Sequence, residues 1–499
     1  MKKILAMLLV VLMLTTVLVS CKKDPQNDPS NTDPTTTPTN SDPNRIPPAE
    51  KDFGEYEFKF LMDGQTDYEL QVPEQIGSDG INKALVERNK LVENKYNVKI
   101  SETRNKHTDT TAAFNYLKDM QSSGDYFADM YSNYAIKMIQ SHAISGFYLN
   151  ACELDSLRLD SEWWDQDFNE EFMINNHLYV LTGDIQTNDD LHQIMTSMNL
   201  TLYNETYPEK NFYDIVVKNG AWTWEEFYNT WNNFGSNDGG TTGVVDSDDK
   251  VGYYYDCRTV NYMYVASGMK AFSLDANNQP VLEINSQKAI EVCKDRMQQI
   301  LDGHTNLKSV RLDDNKVNPG TYEAGNNHFA AGKALFVSNN FTDVLAWLSD
   351  MEDTSVYPPF PKYNAEQDRY YSLVHKDFEA IALCANVQDV ERTALLAEAL
   401  CFYSDALENE VMRVLLKERL TTEEETRAIL QLTLNSKGYD FEYTANIMDW
   451  TSSANNLLVN GTLAQYKDDM EALAKLAVNT RGSGKLQVFL SNYAGLNFR

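Results

Sequence analysis

Between Glu55 and Tyr131 short apolar runs alternate with amphipathic ones, and that alternation restricts the fold more than any other feature. Tyr56, Phe58 and Phe60 fall on one side of a period-two pattern that turns continuously apolar towards Met62, which predicts a strand. Residues 80–96 place Ile81, Ala84, Leu85, Val92 and Tyr96 on one helical face. Asn97–Ile100 reads as a second strand, about 109–122 as a second helix, and Phe127–Tyr131 as a third strand. Strand–helix–strand–helix–strand at this spacing is the pattern of a parallel sheet in an α/β domain. Open sheets bind ligands just beyond the carboxyl ends of their strands. Two polar segments fall there, Asp63-Gly64-Gln65-Thr66 and Ser132-Asn133-Tyr134. Asp63 is a charge directly after an apolar strand and needs a partner.

A chain of 499 residues has room for two or three such units. From about 188 to 340 it is looser and richer in aromatic and Gly residues. Thr223 and Glu226 have the spacing of a capping box in Trp222-Thr223-Trp224-Glu225-Glu226-Phe227, which puts a helix start at Thr223. Trp222 and Trp224 are expected to pack at that start rather than meet a ligand. Residues 390–407, 421–434 and 463–478 are helical by periodicity, and Thr422 with Glu425 has the same capping spacing. The C-terminal third is therefore mostly helix. Pro358-Pro359-Phe360-Pro361 breaks regular structure and is expected to be a crossover between units.

The N-terminus follows another logic. Lys2 and Lys3 precede Ile4–Val19, 16 residues without charge. That is too short for a membrane-spanning helix and suits the core of a signal peptide. Leu18-Val19-Ser20-Cys21 resembles the lipobox of bacterial lipoproteins, in which the cysteine is diacylated and becomes the new N-terminus. The resemblance implies that residues 1–20 are removed. Cys21 would then carry acyl (palmitate-type) chains, two or more of which hold a protein stably on a membrane. Residues 22–52 contain seven of the chain's 14 prolines among Asp, Asn, Ser and Thr, so 21–54 reads as an extended tether tens of Å in reach.

Charge excludes further classes. Forty-three Lys and Arg stand against 73 Asp and Glu, a formal −30, and loss of Lys2 and Lys3 with the signal makes it −32. Such a surface repels phosphate backbones, so nucleic-acid binding is not expected, nor is polybasic attachment to anionic lipid. The five cysteines after Cys21 show no CxxC spacing, against a disulfide framework or a zinc site, and Cys384 and Cys401 are expected as small buried thiols. GxSxG and HExxH are absent, Gly332-Lys333-Ala334 lacks P-loop spacing, and the seven histidines have no ligand spacing. Asp246-Ser247-Asp248-Asp249 lacks the EF-hand pattern and reads as a solvated loop. Paired carboxylates of a glycosidase remain open among 73 acids.

Several segments resemble, in order, the extracellular solute-binding proteins of ABC importers, the family 1 sugar-binding group typified by maltodextrin-binding protein. Trp222–Phe227 is similar to that family's TWEEF helix start, and Phe329-Ala330-Ala331-Gly332-Lys333-Ala334-Leu335-Phe336 to its F-x-x-G-K-A-A-M segment. Leu200-Thr201-Leu202-Tyr203-Asn204-Glu205 stands where the family has L-x-Y-N-K, and Phe127–Tyr131 where it has P-D-I/V. Tyr357–Pro361, an apolar strand at Ala380–Leu383 and a helix from Val390 complete the order over roughly residues 55–460.

The resemblance implies an α/β, two-lobed, periplasmic-binding-protein-like (type II) fold with a hinge and a helix-rich C-terminal third. Lobe one would be 55–187 plus about 365–412, and lobe two 188–364 plus about 413–499. The ligand would lie between them, with hinge closure read by the permease. Carried over position by position, Asp63, Gln65, Asn133 and Tyr134 would supply first-lobe contacts. Asn261 and Tyr262 fall in a second-lobe segment that often supplies an aromatic contact. Asn340 and Phe341 stand near the family's stacking Trp, here replaced by Phe. Trp450 aligns with a C-terminal stacking Trp, and Asp377 and Phe378 lie in the crossover back to lobe one. For Tyr262, Phe341 and Trp450, core packing competes with ligand contact.

The expectation is a monomeric, lipid-anchored extracytoplasmic protein without cofactor, metal or catalytic activity. It would capture a neutral sugar or oligosaccharide for an ABC permease. A lipid-anchored glycan hydrolase and a surface glycan- or peptide-binding protein without a transporter are the competing readings.

Overall fold

The computed structural model describes residues 45–63, 80–105, 110–235, 244–246, 248–276, 280–284, 286–305, 308–312, 321–348, 351–407, 424–451 and 485–495. Cys21 and the tether as far as Asn44, Gln65, Ser247, Thr422 and the helix expected at 463–478 lie outside them. The chain divides into Met1–Ile46 and Pro47–Arg499, and every element below belongs to the second unit.

Strand β1 (Tyr56–Met62) pairs in parallel with β2 (Val98–Arg104), Phe58 opposite Ile100. It also pairs in parallel with β3 (Met130–Tyr134), Phe60 opposite Met130. The helices Gly80–Tyr96 and Thr110–Ser123 make the crossovers between them, close to the expected bounds. β3 begins three residues later than its apolar run. Asp129 in that run is fully buried, and its carboxylate accepts hydrogen bonds from Tyr56, Tyr126 and Thr393.

The middle of the chain is not loose. It holds β4 (Ile194–Asn199), β5 (Val251–Tyr255), the hairpin β6 (Phe272–Leu274) and β7 (Pro280–Leu282), β8 (Ser309–Arg311) and β9 (Ala334–Asn340). With β10 (Ser355–Val356), four of these make a five-stranded sheet in the order β10-β4-β9-β5-β8. β4 and β5 are buried at every position, so no alternation marks them. The polar side chains that interrupt their apolar runs bond across strands, Ser197 to Asn339 at 2.6 Å and Tyr253 to Ser338 at 2.5 Å.

The proline cluster is a sheet edge rather than the expected crossover. β10 pairs antiparallel with β4, and the chain continues alongside it, Pro358 O accepting from Thr196 N at 3.3 Å and Pro359 bridging Met195. Proline, lacking an N–H, suits that outer position. Thr223 caps helix Trp224–Asn232, accepting from Glu226 N at 3.4 Å. The Glu226 carboxylate pairs instead with Lys210 at 2.7 Å, leaving half a capping box. Trp222 and Trp224 are buried and donate to Pro359 O and to Gln299, as packing residues.

After β11 (Ser372–Leu373) the chain returns to the first sheet as β12 (Glu379–Leu383), antiparallel to β3, giving the order β12-β3-β1-β2. That sheet is therefore mixed, not purely parallel. β13 (Lys437–Gly438) pairs with β11. Helices Val390–Phe402, Glu424–Leu434, Phe441–Ala445 and Lys485–Ala494 make up most of the described C-terminal part. The five described cysteines are free, and Cys384 and Cys401 are fully buried. Among the described residues no helix is long and apolar enough to cross a membrane.

Two passages connect the sheets. Residues 186–193 lead into β4, and Gln186 holds Glu379 O at 2.6 Å. Val374–Phe378 leads back into β12, and the N–H of His375 donates to His192 O at 2.9 Å, tying one passage to the other.

Candidate ligand cleft

Strand register decides which residues share an edge. β4 runs against β9 with Ile194 opposite Asn340, and β5 runs with β9, Tyr254 opposite Val337. His192, Asn340 and the turn after Tyr255 therefore emerge on the same edge of the five-stranded sheet. In the four-stranded sheet, Asp63, Tyr134 and Phe378 emerge together, because β1 and β3 end where β12 begins. The passage His375–Phe378 runs from one edge to the other, since Phe378 O accepts from Ala135 N at 2.9 Å.

The turn after β5 builds the most densely charged group there. Asp256 Oδ1 accepts from Arg258 N at 2.7 Å, a local turn that launches helix Thr259–Ala266. The same turn folds the guanidinium back, with Nε on Oδ1 at 2.7 Å and Nη2 on Oδ2 at 2.6 Å, the two-bond fork natural to Arg and carboxylate. Nη1 faces His375 Nε2. Burial pushes the Asp256 carboxyl up, but Arg258 outweighs it and holds the group below its ordinary value. Burial first, and Arg258 next, drive His375 well below the usual imidazole range, so it is neutral at pH 7. On the other side of the ring the N–H of Asp377 points at Nδ1 at 3.3 Å. Nδ1 lies 3.7 Å from the half-exposed Asp377 carboxylate.

The positions chosen from sequence divide into three sets. Asp63 has its partner, since the buried carboxylate accepts from Tyr131 Oη at 3.2 Å. Tyr131 in turn accepts from Asn133 Nδ2 at 2.8 Å, while Asn133 Oδ1 takes the N–H of Tyr134 at 2.7 Å. Asp63, Asn133, Tyr134 and Asp377 thus gather at the first sheet's edge and the passage beside it. Asn340 is at the second edge but is occupied as a helix cap, accepting from Asp343 N at 2.9 Å, with Asp343 bonding back. Asp343 also accepts from Tyr322 Oη at 2.8 Å, and burial raises its pKa.

The remaining aromatic positions pack inside the protein. Tyr262 meets Phe360, Phe341 meets Tyr357, Phe378 lies edge-on to Phe168, and Trp450 lies 4.7 Å from Tyr264, centre to centre. Each is at most 2 % exposed, as is Asn261 in its helix. Arg258, Asp256, His192, His375 and Tyr322 were not singled out from sequence as cleft residues. The rule that selected Asp63, a charge directly after an apolar strand, applies equally to Asp256.

A second ionic cluster braces the passages. Lys437 holds Asp165, Asp189 and Asp190 at 3.2, 2.7 and 2.5 Å beside a cavity of about 460 Å³. Burial lifts Asp189 to about 7 despite the lysine.

No protein-family model and no curated protein matches the sequence. Solved structures do match. A cyclo/maltodextrin-binding protein complexed with maltotetraose aligns with TM-score 0.55 and 11 % identity over 85 % of this chain and 97 % of its own. The galacto-N-biose/lacto-N-biose I-binding protein of the ABC transporter from Bifidobacterium longum, in complex with lacto-N-biose, aligns with TM-score 0.52 and 12 % identity over 90 % and 100 %. Apo RafE from Streptococcus pneumoniae aligns with TM-score 0.51 and 13 % identity over 84 % and 97 %. The chain therefore has the mixed α/β, two-lobed periplasmic-binding-protein-like fold.

Proposed function

We propose that this chain is an extracytoplasmic solute-binding protein that takes a sugar or oligosaccharide between its two sheets and passes it to an ABC importer. The observation that carries the reading is the meeting of two polar edges across a short passage. Asp63, Asn133 and Tyr134 lie on one side and the Asp256–Arg258–His375 unit on the other, within a fold shared with a maltotetraose complex and a lacto-N-biose complex. Carboxylate, amide, imidazole and guanidinium groups each suit vicinal hydroxyls, and Tyr134 offers a ring to a sugar face. The formal charge of −30 favours a neutral solute. Lobe one is assigned 55–187 with about 365–412 and lobe two the rest of the folded chain, with 186–193 and Val374–Phe378 as hinge passages. Cys21 with its lipid holds the protein at the outer face of the cell membrane, and the closed form engages the permease.

A thermal-shift screen across mono- and oligosaccharides tests the reading. A ligand at a hundred times its Kd adds about 2.7 kcal/mol to the stability of the form that binds it. A sugar that raises the melting temperature, with no turnover products after prolonged incubation, is the expected result. Shifts only with a different solute class, or measurable hydrolysis, overturn it.

A further inference from the structure

A groove of about 660 Å³ lies on residues that the cleft does not use, between helix Trp224–Asn232, the helical run from Gln287 and the loop at Tyr363. At its base is Arg296, 6 % exposed. The guanidinium carbon sits 4.2 Å from the ring centre of Tyr363 and 5.7 Å from that of Trp224. Nη2 donates to Tyr363 O at 2.8 Å, whereas Nη1 has no partner among the described residues. A guanidinium nitrogen left unbonded in the interior costs free energy that an incoming acceptor would recover. Burial has already drawn this arginine down to about 10.

The rest of the groove narrows the class of acceptor. Tyr228 and Tyr363 are half-buried. Tyr363 Oη donates to Glu291 at 2.6 Å and Trp224 Nε1 to Gln299 at 2.6 Å, which fixes both rings. Glu225, Glu291 and Asp295 still outnumber Arg296 and Lys288, whose Nζ lies 4.6 Å from the Tyr363 ring centre and donates to Ser267 O, so an anion is disfavoured even though a free donor waits. A neutral polyhydroxylated ring satisfies all three conditions. Its C–H face suits the tyrosines, a hydroxyl oxygen suits Nη1, and its hydroxyl hydrogens suit the carboxylates.

We infer that this groove is a second glycan-binding surface, separate from the cleft, which holds one or two rings of a neutral saccharide on Tyr228 and Tyr363 with Arg296 as its donor. The groove needs no particular solute in the cleft.

The full chain with Arg258→Ala and Asp256→Ala, which remove both halves of the cleft's ion pair, is applied to an array of neutral and sialylated oligosaccharides. Neutral glycans are expected to bind. Adding Tyr228→Ala is expected to weaken that binding tenfold or more, Tyr228→Phe to preserve it, and Arg296→Gln to weaken it similarly. Melting curves check that each variant is folded, and the half-exposed Tyr228 decides the matter if Arg296→Gln does not fold. Absence of neutral glycan binding, binding that survives Tyr228→Ala, or binding of sialylated glycans alone overturns the inference. Because Tyr228 and Arg296 lie outside the cleft, a cleft that takes some other solute leaves these outcomes unchanged.

Discussion

Arg258 closes two arms of its guanidinium on the carboxylate of Asp256, at 2.7 and 2.6 Å, and turns the third towards His375, 117 residues further along the chain. A charge pair made within one turn is thereby tied to the passage between the sheets. The pair is mostly buried, with Asp256 at 6 % and Arg258 at 27 % side-chain exposure.

Asp256→Asn should therefore cost more than a surface ion pair would. It leaves the guanidinium without its counter-charge in a dry setting, and removing one partner of a buried pair typically costs about 3–5 kcal/mol. The partial exposure of Arg258 places the expected loss near the lower end. Urea melts of the variant measure it, and a variant as stable as the parent would show that the fork holds nothing. Arg258→Lys keeps the charge but not the fork, and should weaken sugar binding tenfold or more in titration calorimetry.

Glu442 makes stability depend on pH in an unusual direction. The side chain is fully buried and accepts three backbone N–H groups, from Ile447 at 2.9 Å, Met448 at 2.8 Å and Trp450 at 3.3 Å. Burial outweighs them and, with Asp440 nearby, raises the group to about 8. Between its unfolded value near 4.5 and about 8 the native state holds a proton that the unfolded chain has released. Stability is thus full below the unfolded value and falls as pH rises through that window, by at most about 1.4 kcal/mol per pH unit from this group. Glu171, raised to about 7 mainly by burial, acts in the same direction. Denaturation from pH 5 to 9 should show a shallower slope for Glu442→Gln than for the parent. Equal slopes would sink the assignment.

The first sheet was legible because each of its helices buries one face, so period and burial coincide in Ile81, Ala84, Leu85, Val92 and Tyr96. The second was not, because its strands are buried on both faces and mix hydroxyls and amides into the apolar run. Thr196, Ser197, Ser338 and Asn339 look like loop residues until the strands that face them are known. The same limit divides the cleft. Asp63 and Asn133 could be picked from the ends of visible strands, whereas Arg258 and His375 gain their meaning from a contact across 117 positions. Local spacing carries no trace of it.

Trp450 separates packing from stacking. It is fully buried against Tyr264, with the rings 4.7 Å apart at 59°. Trp450→Ala should destabilise the protein by about 3–5 kcal/mol, as truncations of large buried aromatics do. Trp450→Phe should retain sugar affinity within about twofold while giving up part of the stability. A Phe variant that melts like the parent but binds sugar tenfold more weakly would make Trp450 a ligand platform after all.

Gly252 holds β5, and so the Asp256–Arg258 turn, at its depth in the sheet. A Cβ there would lie 2.2 Å from the carbonyl oxygen of Trp231 and 2.7 Å from that of Lys308. Both are backbone atoms, one from helix Trp224–Asn232 and one from the residue before β8, so neither can rotate away. Gly252→Ala must shift the strand or one of its neighbours, and overpacking of this kind costs about 1–3 kcal/mol. Asp256 follows directly on β5, so a strand displaced at Gly252 should cost sugar affinity as well as stability. Gly54→Ala is the contrast. No atom lies within 4 Å of the added methyl, and only the backbone at φ +64° resists it, which should cost about 1 kcal/mol and leave binding alone. Thermal melts with and without sugar distinguish the two. A Gly252→Ala protein that lost stability but kept full affinity would show that the turn is positioned by its own hydrogen bonds and not by the strand that leads into it.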